Sequence, residues 1–390
     1  MTRTEKRFVS VLAAIVIVQG LGFGIARLMK DDPDGAGASV PGGMTPEQES
    51  EQQFPPPVLV PVSFGPPGNE RTLMRFPANT SVTDFPMLDA PQHVPEDGVL
   101  PPTKRERTFS YSTNSAGFRG SRDFTPTPAS GVFRIGVLGT GVTFGLGVND
   151  DEVFTARLQA LLDVDPHHSR TFEVLNFGRP GLCAREAVTF LRYWSSLFRC
   201  DLWIVMLGVN DALPCFKVPL RDYAISWQAL LNELATLNSH VVVAIEPVNT
   251  FYPWLHLYEE YDRVMRQQVA NRYPVIDLSS YLDGYERQGG LRLEVAEDRL
   301  RIMHYEGGTP HVEFDEEWQR PTLDEPSVPL SVFEYLDQSD LRLRTFITDV
   351  HLNEFGHQMV AQALYDVIDS VLHGKVPQVA SCQECGVALF

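Results

Sequence analysis

From Val132 onward the chain alternates short apolar runs with helix-length amphipathic stretches, and nothing else in the sequence constrains the fold as strongly. The runs with strand character are Phe133–Leu138, Phe172–Phe177, Leu202–Leu207, His240–Ile245 and Val275–Leu278. Amphipathic stretches lie between them near 151–163, 184–199, 219–237 and 254–271, and a last one follows at 354–372. Five short strands joined by crossovers of helix length predict an α/β domain, a parallel sheet with helices on both faces. In such sheets ligands bind beyond the carboxyl ends of the strands, so chemistry is to be sought in the loops that follow them.

The loop after the first strand reads Gly139-Thr140-Gly141-Val142-Thr143-Phe144-Gly145-Leu146-Gly147. A glycine-rich turn between strand and helix is compatible with a dinucleotide-binding protein, because glycines let the backbone approach a pyrophosphate at a helix N-terminus. That reading expects an acidic residue closing the second strand to hold the ribose. This second strand ends Leu175-Asn176-Phe177-Gly178-Arg179 instead, so a dinucleotide cofactor is the minor alternative and no cofactor is expected. No metal is expected either, because His167-His168 stands without further ligands at metal spacing.

The other loops give the first one a context. After strand two comes Asn176-Phe177-Gly178-Arg179-Pro180-Gly181, after strand three Gly208-Val209-Asn210-Asp211, and before the last helix Asp349-Val350-His351-Leu352-Asn353-Glu354-Phe355-Gly356-His357. In this order, each after the right element, these segments resemble the SGNH (GDSL-type) hydrolases, a family of esterases and acyl transferases. The resemblance covers about 131–373 and extends upstream to Asn114-Ser115-Ala116-Gly117-Phe118-Arg119-Gly120, similar to a segment that precedes the domain in membrane-anchored bacterial members. It implies a flavodoxin-like three-layer fold. It also implies that His351 is the catalytic histidine, that Asp349 orients it, and that the Gly181 N–H and the Asn210 amide face an oxyanion. The commonest family spacing would put the acid at Thr348, one position earlier.

The departure lies at the nucleophile. Where the family has Gly-Asp-Ser, this chain has Gly139-Thr140-Gly141, so Gly141 stands at the serine position with no side chain. Losing that serine removes on the order of a millionfold in turnover. Thr143 and Cys183 are the substitutes within reach along the chain, against the plainer readings of a capping threonine and a buried thiol. The histidine, acid and oxyanion positions are therefore vestigial. The sequence points to a non-enzymatic protein, an accessory or structural subunit of a larger membrane complex or an envelope ligand-binding protein for a small molecule or glycan. The alternative is an esterase or O-acetyl transferase acting on envelope polysaccharide through an unconventional nucleophile.

Outside this domain the N-terminus is the most informative segment. Phe8 to Ala26 is a nineteen-residue run without charge, about 28 Å as a helix, enough to cross a bilayer. The run ends Ile25-Ala26-Arg27-Leu28-Met29-Lys30, without the small-residue site of a cleaved signal peptide. Residues 1–30 thus read as a cytoplasmic flank and uncleaved signal anchor, basic at Arg3, Lys6 and Arg7, with the bulk of the chain exported. Gly20 and Gly24 offer a small-residue face for an integral membrane partner.

Residues 31–130 hold more than half of the chain's 29 prolines and read as an extended arm, parts of it lying along a surface. Residues 283–345 form an insertion with a hairpin about Ala296-Glu297-Asp298 and an acidic run, Glu313 to Glu317. A cap, a docking surface and a solvated excursion all fit it. Residues 374–390 are a tail whose Cys382 and Cys385 suit a local disulfide or none. The net charge of −18, more acidic still beyond the basic N-terminus, makes a nucleic-acid partner unfavourable.

Overall fold

The computed structural model describes residues 58–63, 70–87, 107–165, 170–213, 216–248, 255–282, 291–296, 299–306, 309–315, 346 and 351–372. Its centre is a five-stranded parallel sheet. The strands are β5 (Val132–Gly139), β6 (Thr171–Gly178), β7 (Leu202–Met206), β8 (His240–Ile245) and β9 (Val275–Asp277), in the order β6-β5-β7-β8-β9. Each expected strand is present, and the order is that of a flavodoxin-like sheet. The connection reverses direction at β5, so the topological switch point, where sheets of this order bind ligands, lies between the ends of β5 and β7.

Helices cover both faces. On one side α3 (Ala184–Leu197), α5 (Leu220–Thr236) and α6 (Leu255–Val269) bury Phe190, Trp194, Trp227, Leu230, Leu231 and Met265. On the other, α2 (Phe154–Val164) and α7 (Glu354–Leu372) contribute Leu158, Leu162, Val360, Leu364 and Ile368. The two-residue period of the strands sorts their side chains between these layers. Ile204 and Met206 join the second core, while Trp203 and Val205 join the first. Gly136 makes room for Trp203, since a Cβ there would lie 2.9 Å from the indole ring.

The segment ahead of the sheet is more ordered than its proline content suggests. Instead of an irregular arm, two antiparallel pairs form: β1 (Val58–Ser63) with β2 (Glu70–Arg75), and β3 (Ser81–Met87) with β4 (Arg107–Ser112). Two-stranded pairs are all edge, so Pro61 and Pro86 are tolerated in them where a central strand would lose ladder bonds. Phe109, Tyr111 and Phe118 are buried, and Phe118 sits among Phe177, Trp194 and Phe198. Further along, Arg134 on β5 is fully buried, forks onto Glu173 of β6 at 2.8 and 2.6 Å, and donates to Pro126 O at 3.1 Å. The packed body therefore starts well before residue 131.

Within the insertion, β10 (Leu291–Ala296) and β11 (Arg299–Glu306) make the expected hairpin. A third strand, β12 (Thr309–Asp315), takes up most of what reads in sequence as an acidic run. In sequence the two strands are joined by Gly307-Gly308, a two-residue hairpin signal. Among the described residues no helix is long and apolar enough to cross a membrane. The apolar run 8–26, His167-His168, Asp349 and the tail with Cys382 and Cys385 lie outside the described residues.

Candidate functional site

At the end of β5 the chain turns through Thr140 into α1 (Gly141–Phe144), a single turn closed by Gly145 in the left-handed region at φ 86°. Thr140 caps it, its Oγ1 accepting the Val142 N–H at 3.3 Å. The loops after the neighbouring strands are tied to this turn. Arg179 N–H donates to Gly139 O at 2.9 Å, and the hydroxyl of Thr140 donates to Glu246 Oε1 at the end of β8. The other oxygen of Glu246 accepts the Val209 N–H at 3.1 Å, from the start of α4 (Val209–Ala212) after β7. Asn210 in α4 donates to Leu182 O at 3.1 Å, and Asp211 accepts the Ala184 N–H at 3.1 and 3.0 Å. Asp211 thereby caps α3, a task its N-cap residue Cys183 does not perform with its own side chain.

His351 comes to the same turn from the segment just before α7. Asn353 accepts the Gly356 N–H at 2.8 Å and so caps α7, which fixes the chain just before it. A Cβ built on Gly141 would lie 3.2 Å from His351 Nε2 and 2.8 Å from Leu146 Cδ1. The histidine edge therefore faces the position that lacks a side chain. Burial holds the imidazole down to about 4, so it is neutral at physiological pH and could accept a proton, but residue 141 offers no hydroxyl to supply one.

The remaining expected residues fall as follows. Gly181 adopts φ 73°, a left-handed conformation, in the loop between β6 and α3. Asn210 is buried, and one of its two amide N–H groups is engaged with Leu182 O. Thr143 is fully buried and turned away, its Oγ1 2.0 Å from where a Gly139 Cβ would sit. Cys183 is buried at the head of α3. The glycines of the β5 loop serve close packing: a Cβ on Gly178 would strike Phe144 N at 2.2 Å, and Gly139 makes way for Thr143. His357 packs, stacked on Phe154 at 5.8 Å with its Nδ1 accepting the Phe154 N–H at 3.3 Å.

Sequence reasoning missed Glu246. Its signal was a lone acid at the end of an otherwise apolar strand, Val-Val-Val-Ala-Ile-Glu. Burial pushes its carboxyl up to about 7, against the opposing pull of the Thr140 hydroxyl and the Val209 N–H. The folded form thus holds this proton more tightly than the unfolded chain does. Its contribution to stability is complete below about pH 4.5 and is lost as pH rises through 7, roughly 3 kcal/mol in all. Glu246→Gln, which mimics the protonated form, is expected to gain on the parent between about pH 5 and about pH 8, measured by urea unfolding at both. His351 and His357 are depressed to about 4 and about 3, so their terms run the opposite way and are lost as pH falls; being common to both proteins, they cancel in the difference.

No family model matches this chain, and no curated protein matches it. Among solved structures it is similar to an acetyl xylan esterase, AlAXEase, at 13% identity and a TM-score of 0.40, covering 60% of this chain and 98% of that one. A catalytic mutant of the acetylxylan esterase Axe2 from Geobacillus stearothermophilus is similar at 16% identity and a TM-score of 0.39, covering 60% and 92%. A lipolytic protein of the G-D-S-L family from Veillonella parvula follows at 16% and 0.37, covering 59% and 94%.

Proposed function

We propose that this chain is a membrane-anchored protein whose exported α/β domain is a catalytically degenerate SGNH-type domain, retained for binding or structure rather than hydrolysis. The observation that carries the reading is the place of Gly141, whose missing Cβ would lie 3.2 Å from His351 Nε2. A histidine in that position activates a hydroxyl in a hydrolase; here it faces a bare Cα. The strand-end loops are nonetheless firmly tied through Thr140, Glu246, Asn210 and Asp211, so the frame around Gly141 is held in place, as a retained binding role requires. The uncharged run at 8–26 supports anchoring, and its glycines support packing on integral partners as an accessory subunit.

Full-length protein extracted in mild detergent is expected to hydrolyse p-nitrophenyl acetate no faster than His351→Ala. Turnover that His351→Ala abolished would overturn the reading in favour of an esterase or O-acetyl transferase with another nucleophile. Cys183, two residues past Gly181, is the group that alternative would need, since Thr143 is turned into the core. Cys183→Ser would then identify it.

A further inference from the structure

One buried acid joins two of the strand-end turns. Glu246 follows β8 and is fully buried. One of its carboxyl oxygens accepts the Thr140 hydroxyl at the head of α1, and the other accepts the Val209 N–H at the start of α4, so a single group links the turn that holds Gly141 to the turn that holds Asn210. Its backbone is pinned independently, the Glu246 carbonyl accepting the Tyr258 hydroxyl at 2.6 Å. The titratable groups that face it are acids and phenols. Asp211 comes from α4, itself buried and held well above the usual carboxylate range, Tyr223 from α5, and Tyr258 from α6, with Asp262 and the Asp277 of β9 acting on Tyr258 in turn. His351, beside Gly141, is neutral. Only the Thr140 hydroxyl and the Val209 N–H favour the ionised form of Glu246. A carboxyl removed from water, near another acid and without a cation to pair with, keeps its proton toward neutral pH.

We propose that Glu246 is a proton-operated clasp: protonated, it locks the Gly141 and Asn210 turns to each other, and on ionisation the two turns open together while the sheet beneath them stays folded. This rests on the reading of the domain as a binding module and names the regulation of its site. The neutral acid fits the clasp. Its oxygen facing the Val209 N–H must stay bare, so the proton belongs on the oxygen facing Thr140, whose hydroxyl accepts as well as donates. The charged form retains the two donors but leaves a buried charge that only opening returns to water. With the carboxyl near 4.5 when open and about 7 when closed, each pH step between those values favours opening tenfold, and nothing more is gained above 7. Between pH 5 and pH 8 opening therefore becomes roughly fiftyfold more frequent. Whatever binds on this frame is held best in mildly acidic surroundings.

The test is hydrogen exchange of the full-length protein in mild detergent, read by mass spectrometry on peptides spanning 139–146 and 207–213 at pH 5 and pH 8 and corrected for the intrinsic pH dependence of amide exchange. The Val142 and Val209 N–H groups are donors within the clasp and report on it directly. Protection in both peptides is expected to fall together, roughly fiftyfold, with both exchanging well ahead of β5 and β7 at pH 8. Glu246→Gln places an amide N–H toward Thr140 and a carbonyl toward Val209, as the neutral acid does, and should keep its pH 5 protection at pH 8. Thr140→Val cuts one side of the link, so 139–146 should exchange fast at both pH values while 207–213 still responds to pH. The proposal is overturned if the two turns exchange only together with β5 and β7, if their protection in the parent is the same at both pH values, or if Glu246→Gln shows the same fall. Hydrolysis of p-nitrophenyl acetate dependent on His351 would remove the binding reading, and the exchange result would still judge the clasp separately.

Discussion

Gly141→Ser is expected to create His351-dependent hydrolysis of p-nitrophenyl acetate, roughly a thousandfold above the parent, worth about 4 kcal/mol of transition-state stabilisation. The new Cβ would stand 3.2 Å from His351 Nε2, so a serine hydroxyl falls within reach of the nitrogen that must take its proton. The imidazole is neutral, as a general base must be. Two features keep the gain below the millionfold that a complete triad commands. Leu146 Cδ1, 2.8 Å from the added Cβ, must swing aside, although it is the mobile end of a flexible side chain. The Asn210 amide, in addition, already shares one N–H with Leu182 O and so offers an oxyanion at most the other. Gly141→Ala carries the same Cβ without the hydroxyl and should stay inactive. Equal activity in Gly141→Ala, or persistence of the gain in Gly141→Ser with His351→Ala, would show that the serine is not the nucleophile.

The sheet and its helices were legible because their signals are local. Apolar runs of strand length mark all five strands, and α7 occupies 354–372 as its amphipathic pattern predicts, with Asn353 as its cap. The order of the loop motifs located Gly141, Gly181, Asn210 and His351, all in loops or short turns that follow strands or precede α7. What was not legible joins residues far apart in the chain. Thr140 and Glu246 are 106 positions apart, and Arg119 and Asp150 are 31 apart. No periodicity carries such pairings; each was a single polar residue in an apolar or loop setting. The strands β1 and β3 were hidden for a different reason, their Pro61 and Pro86: proline is a reliable breaker in central strands and helices but a weak one at the edge of a two-stranded pair.

Arg119 shows how much structural weight one of those hidden pairings carries. Gly117, at φ 83°, lies so near Phe76 that a Cβ would be 2.5 Å from its carbonyl oxygen, and Asn114 Oδ1 accepts the Ala116 and Phe118 N–H groups at 3.0 Å each. This tight turn drives Phe118 into the core and Arg119 beneath α1. There the guanidinium meets Asp150 at 2.5 Å, Val148 O at 2.7 Å, Gly145 O at 3.1 Å and Phe144 O at 3.2 Å, and lies over the rings of Phe109, Tyr111 and Phe144. Three of those acceptors are the backbone carbonyls of Phe144, Gly145 and Val148, at and beyond the end of α1, where a helix leaves its last carbonyls without intrahelical donors. Arg119→Ala should therefore cost about 3–5 kcal/mol, the range for breaking a buried charged pair, and lower Tm by roughly 10 °C. Asp150→Asn should cost less, because that carboxylate is 36% exposed and water can replace part of the contact. The same bonds position Gly141 against His351, so Arg119→Lys, which keeps the charge but not the fork, should also remove most of the activity gained by Gly141→Ser. A thermal melt of Arg119→Ala within a degree or two of the parent would mean that the upstream turn merely rests on α1, and the packed body would then begin at β5 after all.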